Sequence, residues 1–312
     1  MSSDCGLDSN ATIRFSLSLM DKALVTSTLS ILAFLCITSN FLVCYIIATR
    51  RTTNSTARLY VFSLALTDVM VGLFSIPFFI LLFMTKSDPG EQARALQSVF
   101  TVVDLTLQLA SITHLCMMSV DRALAVVKPF YHKKVVTKSK VLKSLIIPWT
   151  AGFLSGISYL FLPQSLLAFF AYFMVIAGLF YVLPIIIMII CYACIFKAIR
   201  TRNKSKVGER INEFRLARTI LVIILTFGVC WTPLTIHSYY NIFKVFMTCY
   251  RHEFSWVDVL IKAINYLNST LNPFIYAILH PQFRVGFCEL CKRRRKTFTH
   301  ALTSGDHHVT QL

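Results

Sequence analysis

Seven long apolar stretches run through this chain, and they limit its fold more than any other feature. They begin near residues Ala23, Tyr60, Ala95, Val141, Leu167, Phe214 and Val257. Each is long enough to cross the ~30 Å hydrocarbon core of a bilayer as a helix. The hydrophobic fraction is 56% and the charged fraction only 14%, a balance that is rare among soluble domains. The sequence therefore predicts an all-α membrane fold, a seven-transmembrane helix bundle over residues 23–279.

Positive charge lies in alternate loops and predicts the orientation of the bundle. The formal net charge of +17 is concentrated after the first, third, fifth and seventh stretches, and the last cluster runs from Lys292 to Lys296. Loops rich in Lys and Arg stay in the cytoplasm, where they also meet anionic lipid. We therefore expect a multi-pass plasma-membrane protein with an extracellular N-terminus, and the charge pattern gives no reason to expect a nucleic-acid partner.

The segments outside the bundle carry candidate modification sites. In the extracellular residues 1–22, the sequon at Asn10 is the one that can meet the glycosylation machinery. Cys5 and Cys249 both face the oxidising side and either form a disulfide or remain free thiols. Residues 280–292 read as an amphipathic eighth helix on the membrane surface, where Cys288 and Cys291 are candidates for palmitoylation. Residues 293–312 read as a cytoplasmic tail.

The seventh stretch combines a proline with a polar stripe. Asn268, Asn272 and Tyr276 are four residues apart and share one helical face beside Pro273. A proline in a helix frees a carbonyl one turn earlier, and lipid cannot satisfy that group. The pattern therefore indicates an element that moves.

Ionisable residues inside the apolar stretches indicate a specific role, because a charge at the bilayer centre costs ~2.5–3.5 kcal/mol or more. Asp104, Gln108 and Ser111 follow one another at helical spacing on one face of the third stretch. For Gln108 and Ser111 alone, hydrogen bonding between helices is the simpler explanation. For Asp104, we favour a role in binding.

Motifs in six further places complete a pattern that resembles the rhodopsin-like (class A) G-protein-coupled receptors over about residues 23–292. The motif residues are Asn40; Leu64 to Asp68; Asp121-Arg122; Trp149; Pro184 and Tyr192; Phe227 and Cys230 to Pro233; and Asn272 to Tyr276. The resemblance implies a receptor, not an enzyme, that signals through a heterotrimeric G protein and also meets arrestin.

The resemblance also implies two internal sites. An allosteric sodium pocket would be formed by Asp68, Ser111, Asn268, Ser269 and Asn272, since a hard cation prefers oxygen ligands. The activation switch would comprise Asp121, Arg122, Glu213, Tyr192, Tyr276, Pro184, Ile112, Phe227, Pro233 and Pro273. Breakage of the Arg122–Glu213 pair would open a groove for the G protein, a shift between two packings.

The chain departs from the resemblance in two places. Ala123 replaces the tyrosine that usually follows the arginine, at a position that bears on G-protein contact. No cysteine stands near Gln97 or between Leu162 and Leu167, so the usual extracellular disulfide is missing. In this respect the chain is similar to the branch of melanocortin, lysophospholipid, cannabinoid and adenosine receptors.

The ligand-binding set that we predict is Asp104, Gln108, Trp231, Thr235, Lys262 and Tyr266. Asp104 and Tyr266 match the positions at which amine receptors hold an ammonium, by charge-assisted hydrogen bonding. Lys262, one turn from Tyr266, either neutralises Asp104 when no ligand is bound or binds the second end of a zwitterion. We expect a small cationic or zwitterionic, biogenic-amine-like ligand. The alternatives are a lipid or peptide receptor of the disulfide-lacking branch and, more remotely, a transporter or channel.

The C-terminal residues Val309–Leu312 place a hydroxyl residue two positions before an apolar carboxy-terminus. PDZ domains bind such tails as an added strand. The tail therefore predicts a PDZ-domain partner.

Overall fold

The computed structural model describes residues 18–49, 56–85, 91–163, 165–201, 207–248 and 255–279. Several predictions lie outside these residues: the Cys5–Cys249 disulfide, glycosylation of Asn10, the amphipathic segment with Cys288 and Cys291, and the tail motif Val309–Leu312. Glu213 lies within a described helix, but its side chain is not among those described.

The described residues form seven helical spans, which are numbered here in chain order. Span one is α1 (Leu19–Thr49), and span two is α2 (Ala57–Met70), a π turn (Val71–Ser75) and α3 (Ile76–Thr85). Span three is α4 (Glu91–Val127), followed by the short α5 (Pro129–Val135). Span four is α6 (Lys138–Ser144), α7 (Ile146–Ser158) and a 3₁₀ turn (Tyr159–Phe161). Span five is α8 (Leu166–Ala177), a second π turn (Gly178–Val182) and α9 (Leu183–Thr201); spans six and seven are α10 (Val207–Thr248) and α11 (Trp256–Leu279).

Each span begins before the residue at which its apolar stretch was expected to begin. The difference is one residue for span five, which starts at Leu166, and seven for span six, which starts at Val207 instead of Phe214. Helical hydrogen bonds continue beyond the apolar residues, so polar turns extend each helix. Composition therefore marks the part of a helix suited to lipid and not its end.

Six of the spans are long and apolar enough to cross a membrane by length and composition: Leu19–Thr49, Ala57–Thr85, Gln92–Val127, Lys138–Phe161, Leu167–Thr201 and Leu221–Lys244. Span seven is shorter than most and carries Asp258, Lys262 and three asparagines within Trp256–Leu279. These polar residues lower its hydropathy, and most of them are turned away from lipid: Lys262, Asn265, Asn268 and Asn272 are all buried.

Span three is the centre of the bundle and packs against spans two, four and five, while spans six and seven close the ring against spans five and one. Two glycines of span four allow its close approach to span three. A Cβ on Gly152 would lie 2.3 Å from the Thr106 carbonyl oxygen, and one on Gly156 would lie 2.6 Å from that of Val102. Small residues let membrane helices approach closely in this way.

Candidate functional site

A cavity lies between spans three, five, six and seven. We call the end of the bundle that contains it the cavity end, and the end that contains Arg122 the arginine end. The lining residues are Asp104, Leu105, Gln108, Leu109, Phe173, Ile176, Ala177, Phe180, Tyr181, Trp231, Leu234, Thr235, Ser238, Tyr239, Ile242 and Lys262. Most of these side chains are apolar or aromatic, and the two charged ones are Asp104 and Lys262. Such a mixture is typical of small-molecule pockets.

The carboxylate of Asp104 is the electrostatic centre of this cavity. Its Oδ2 accepts a hydrogen bond from the Lys262 ammonium at 2.6 Å, and its Oδ1 accepts one from the Ser75 hydroxyl at 2.5 Å. The Tyr266 hydroxyl lies 3.2 Å from the Ser75 hydroxyl and 3.5 Å from Oδ1. Charge-assisted bonds of this kind are stronger than neutral ones, so both oxygens of Asp104 are held in place.

Lys262 is buried beside aromatic rings as well as beside Asp104. Its side chain is 9% exposed, and its Nζ lies 5.1 Å from the Tyr266 ring centroid and 5.7 Å from that of Phe100. Ring faces attract cations, and the effect grows when water is excluded. The ion pair is therefore internal to the bundle, in a setting where loss of either partner leaves an uncompensated charge.

Gln108 lies one helical turn from Asp104, and its side chain has no partner in the described part of the chain. It is 3% exposed and lines the cavity, yet neither its Oε1 nor its Nε2 makes a hydrogen bond within the described residues. The indole Nε1 of Trp231, in the same cavity wall, is also unpaired there. Buried polar groups nearly always form hydrogen bonds, so these side chains are available to form hydrogen bonds with a ligand.

The structure brings five of the six predicted ligand-binding residues to one cavity. These are Asp104, Gln108, Trp231, Thr235 and Lys262. Tyr266 is different: it is 0% exposed and does not line the cavity, and its hydroxyl contacts Ser75 and, at a longer distance, Asp104. Direct contact between Tyr266 and a ligand therefore stays a prediction.

Ser75 and Asn265 were missed by sequence reasoning. Ser75 holds Asp104 from span two, and Asn265, three residues after Lys262, is 0% exposed with both amide atoms unpaired in the described part of the chain. Ser75 follows Asp68, and Asn265 follows Lys262, at helical spacing, so both residues could have been assigned to the inward face of their span. A small hydroxyl or an amide in a membrane helix, however, is as often a helix-packing residue as part of a site.

Asp68 lies deeper in the bundle, where three spans meet. It is 0% exposed; Asn272 donates to its Oδ2 at 2.9 Å, and the Ser111 hydroxyl donates to its Oδ1 at 3.4 Å. Ser269 is also fully buried. Among the described residues, Asp68 has no basic side chain within ion-pair distance, in contrast to Asp104. Its donor set, a carboxylate with nearby hydroxyls, has the chemistry that a hard cation prefers.

Aromatic packing connects the cavity to the centre of the bundle. The ring of Trp231 lies 5.6 Å from that of Phe227, which lies 6.1 Å from that of Tyr181. Ile112 and Phe227 are fully buried in one hydrophobic cluster with Trp231 and Tyr276. Pro184 is buried in span five, and Pro233 and Pro273 lie inside spans six and seven. A ligand that moves Trp231 would therefore press on this cluster.

Arg122 at the arginine end is engaged with its own neighbour. Its Nε and Nη2 donate to Oδ2 of Asp121 at 3.0 and 2.5 Å, and His132 of α5 lies 2.9 Å from Oδ1 of the same carboxylate. The predicted pairing of Arg122 with Glu213 falls on a side chain outside those described. Tyr192 packs beside Val126, Ile195 and Ile199, in a cluster separate from that of Tyr276.

Comparison with known proteins agrees with this architecture. A family model described as 7 transmembrane receptor (rhodopsin family) matches residues 39–276. The chain is similar to the histamine H2 receptor of Canis lupus familiaris, with 27% identity covering 92% of this chain and 85% of that protein. It is likewise similar to the histamine H2 receptors of Homo sapiens and Cavia porcellus, each with 27% identity covering 93% of this chain and 84% of the relative. The chain therefore belongs to the rhodopsin family of seven-transmembrane receptors: it is a G-protein-coupled receptor, a multi-pass membrane protein and not an enzyme.

Proposed function

We propose that this receptor binds an extracellular small molecule through an ammonium group that contacts Asp104, and that binding activates a heterotrimeric G protein. The observation that carries the proposal is the Asp104–Lys262 contact of 2.6 Å in the cavity wall. The carboxylate already accepts an ammonium there, so its geometry suits a second ammonium supplied by a ligand. The apolar lining would strengthen that contact by excluding water.

The relatives support the same class of ligand. They are named for histamine, which carries a primary ammonium at neutral pH. Because the sequence identity is 27%, we extend the positive charge of that ligand to the ligand of this receptor, and not the ligand itself. Among the span-five residues of the cavity wall, Ile176, Ala177 and Phe180 carry no hydroxyl, and the Tyr181 phenol is already bound to Thr232. A ligand rich in hydroxyl groups would therefore lose hydrogen bonds on this side.

The orientation and the cytoplasmic partner follow from charge. Basic residues lie at the arginine end, including Lys133 and Lys134 of α5 and Lys138 and Lys140 of α6. The positive-inside rule supports a cytoplasmic arginine end, an extracellular cavity end and a location in the plasma membrane. In this orientation Arg122 lies where a G protein would bind. Arrestin and a PDZ domain remain proposals from sequence alone.

A sodium ion fits the chemistry around Asp68. Oxygens of Asp68, Ser111 and Ser269 would hold it, and its charge would offset the cost of burying a carboxylate that has no ion-pair partner within the described spans. Asn268 and Asn272 would support the pocket from span seven. Because all these residues lie below the cavity, the ion would favour one packing of spans three and seven over another.

The test compares Asp104→Ala with the unmodified receptor against a panel of biogenic amines that includes histamine, using G-protein dissociation in living cells. Asp258→Asn is the control, since Asp258 is a carboxylate at the same end that does not line the cavity. We expect Asp104→Ala to lose at least about 100-fold in potency, as removal of one member of a buried charge contact implies. A full response from Asp104→Ala would contradict the proposal and favour the lipid or peptide alternative.

A further inference from the structure

The ammonium site of this receptor is already filled by a side chain of the receptor itself. Lys262 donates to Asp104 at 2.6 Å, and the two side chains are only 9% and 13% exposed. A ligand that carries nothing but an ammonium must therefore displace Lys262. The displaced lysine would stay buried beside Phe100 and Tyr266, with its charge unpaired. Leaving one partner of a buried pair alone is strongly unfavourable.

We propose that the ligand is a zwitterionic amino acid, whose ammonium binds Asp104 and whose carboxylate binds Lys262. Both charges of the internal pair then regain a partner, so the penalty that a simple amine would meet does not arise. In an α-amino acid the two groups are attached to the same carbon, which suits two side chains that are now in contact. The flexible stem of Lys262 can turn aside to admit them. The inference rests on the proposed function and narrows its ligand.

The rest of the cavity indicates which side chain the amino acid carries. One turn from Asp104, Gln108 has an oxygen and a nitrogen without partners among the described residues, and the same holds for Nε1 of Trp231. Phe173, Phe180 and Tyr181 line the space around them. Aromatic walls favour an aromatic ring through offset or edge contacts. The unpaired amide favours a ring that carries a polar atom, so we infer an aromatic amino acid of this kind.

The test uses matched pairs of probes that differ only by the carboxylate: tyrosine and tyramine, tryptophan and tryptamine, histidine and histamine. Each is applied to cells expressing the unmodified receptor, Lys262→Met or Lys262→Arg, with G-protein dissociation scaled to surface expression. Lys22→Met is the control, since Lys22 lies in the first turn of span one, away from the cavity. Purified receptors are also heated with and without each probe, so that binding is seen even where signalling is weak.

We expect the unmodified receptor to prefer the amino acid in at least one pair by about tenfold or more, which corresponds to ~1.4 kcal/mol. Lys262→Met should reverse the order, because Asp104 becomes free and the carboxylate loses its partner. Lys262→Arg should keep the original order. Equal or better potency of the amines on the unmodified receptor, or no effect of any probe on signalling or stability, would overturn the inference. Failure of the proposed function would be recognised separately, because amines would then still activate the Asp104→Ala variant.

Discussion

The phenol oxygen of Tyr181 lies 2.6 Å from the hydroxyl oxygen of Thr232 and joins span five to span six beside the cavity. Thr232 has one hydroxyl proton, which it donates to the Gly228 carbonyl oxygen at 2.5 Å. Tyr181 must therefore be the donor in the bond between the spans. Thr232 directly precedes Pro233, so the bond ties the second π turn to the proline region of span six.

Removal of this bond should loosen the contact between spans five and six. We expect Tyr181→Phe to lower stability by about 1 kcal/mol, the usual net contribution of one hydrogen bond. Thr232→Val should cost more, because it also removes the bond to Gly228, and the double variant should cost little more than Thr232→Val alone, since both lack the bond between the spans. Thermal unfolding of the purified receptor measures this. Tyr239→Phe, at another cavity tyrosine, is the matched control, and strict additivity of the two changes would show that the bond is not formed.

The contact between spans three and four should not tolerate an added methyl group. Gly152→Ala places its Cβ against backbone, 2.3 Å from the Thr106 carbonyl oxygen, so the helices must separate. Overpacking of this kind typically costs about 1–3 kcal/mol. We expect a lower melting temperature and reduced surface expression. Gly228→Ala is the control, because no atom outside its own helix lies within 4 Å of the added Cβ. Equal behaviour of the two variants would contradict the packing described here.

The three-residue group of Asp121, Arg122 and His132 should restrain basal signalling. Asp121→Asn removes the charge that holds Arg122, and we expect constitutive G-protein activation to rise about fivefold for each ~1 kcal/mol of restraint lost. His132→Leu, which removes one contact and leaves the ion pair, should raise it less. The measurement is G-protein dissociation without agonist, compared between variants at equal surface expression. Arg122→Ala should abolish the output, and unchanged output from that variant would exclude the arginine from coupling.

Sodium should stabilise the receptor through Asp68. A sodium concentration ten times its dissociation constant contributes about 1.4 kcal/mol to the folded state, which is a rise of a few degrees in melting temperature. We expect this rise in sodium chloride relative to choline chloride, and its loss in Asp68→Asn, which keeps the shape and removes the charge. Asp258→Asn should retain it. A rise of the same size in Asp68→Asn would place the effect of sodium elsewhere.

Sequence reasoning succeeded where length and spacing carry the information. Seven apolar stretches predicted seven spans because only long helices satisfy the backbone in lipid. The inward placement of Asp104, Gln108 and Lys262 followed from the cost of exposing polar groups to lipid. Helical spacing on spans three and seven also allowed Asp104 to pair with Lys262, and these two side chains are in contact in the structure.

Other features depend on contacts between distant segments, which spacing does not define. Arg122 contacts Asp121, the carboxylate beside it in the chain, and helical spacing did not predict this contact. Its pairing with Glu213 of span six stays a prediction. Ser75 is one of many hydroxyl residues in the spans, and nothing local distinguishes it as the partner of Asp104. The contact between Tyr266 and Ser75 likewise depends on how span two packs against span seven.

The two π turns have a consequence for any comparison of this chain with other receptors. Each closes its hydrogen bonds one residue further along than an α-helix does, so one turn contains an additional amino acid. Ser75 ends the first such turn, and Phe180 and Tyr181 belong to the second. An ungapped alignment with a receptor that has a plain α-helix there would remain correct on one side of the turn and be displaced by one position on the other. Numbers counted from the motifs at the arginine end would then assign the wrong residues to the cavity.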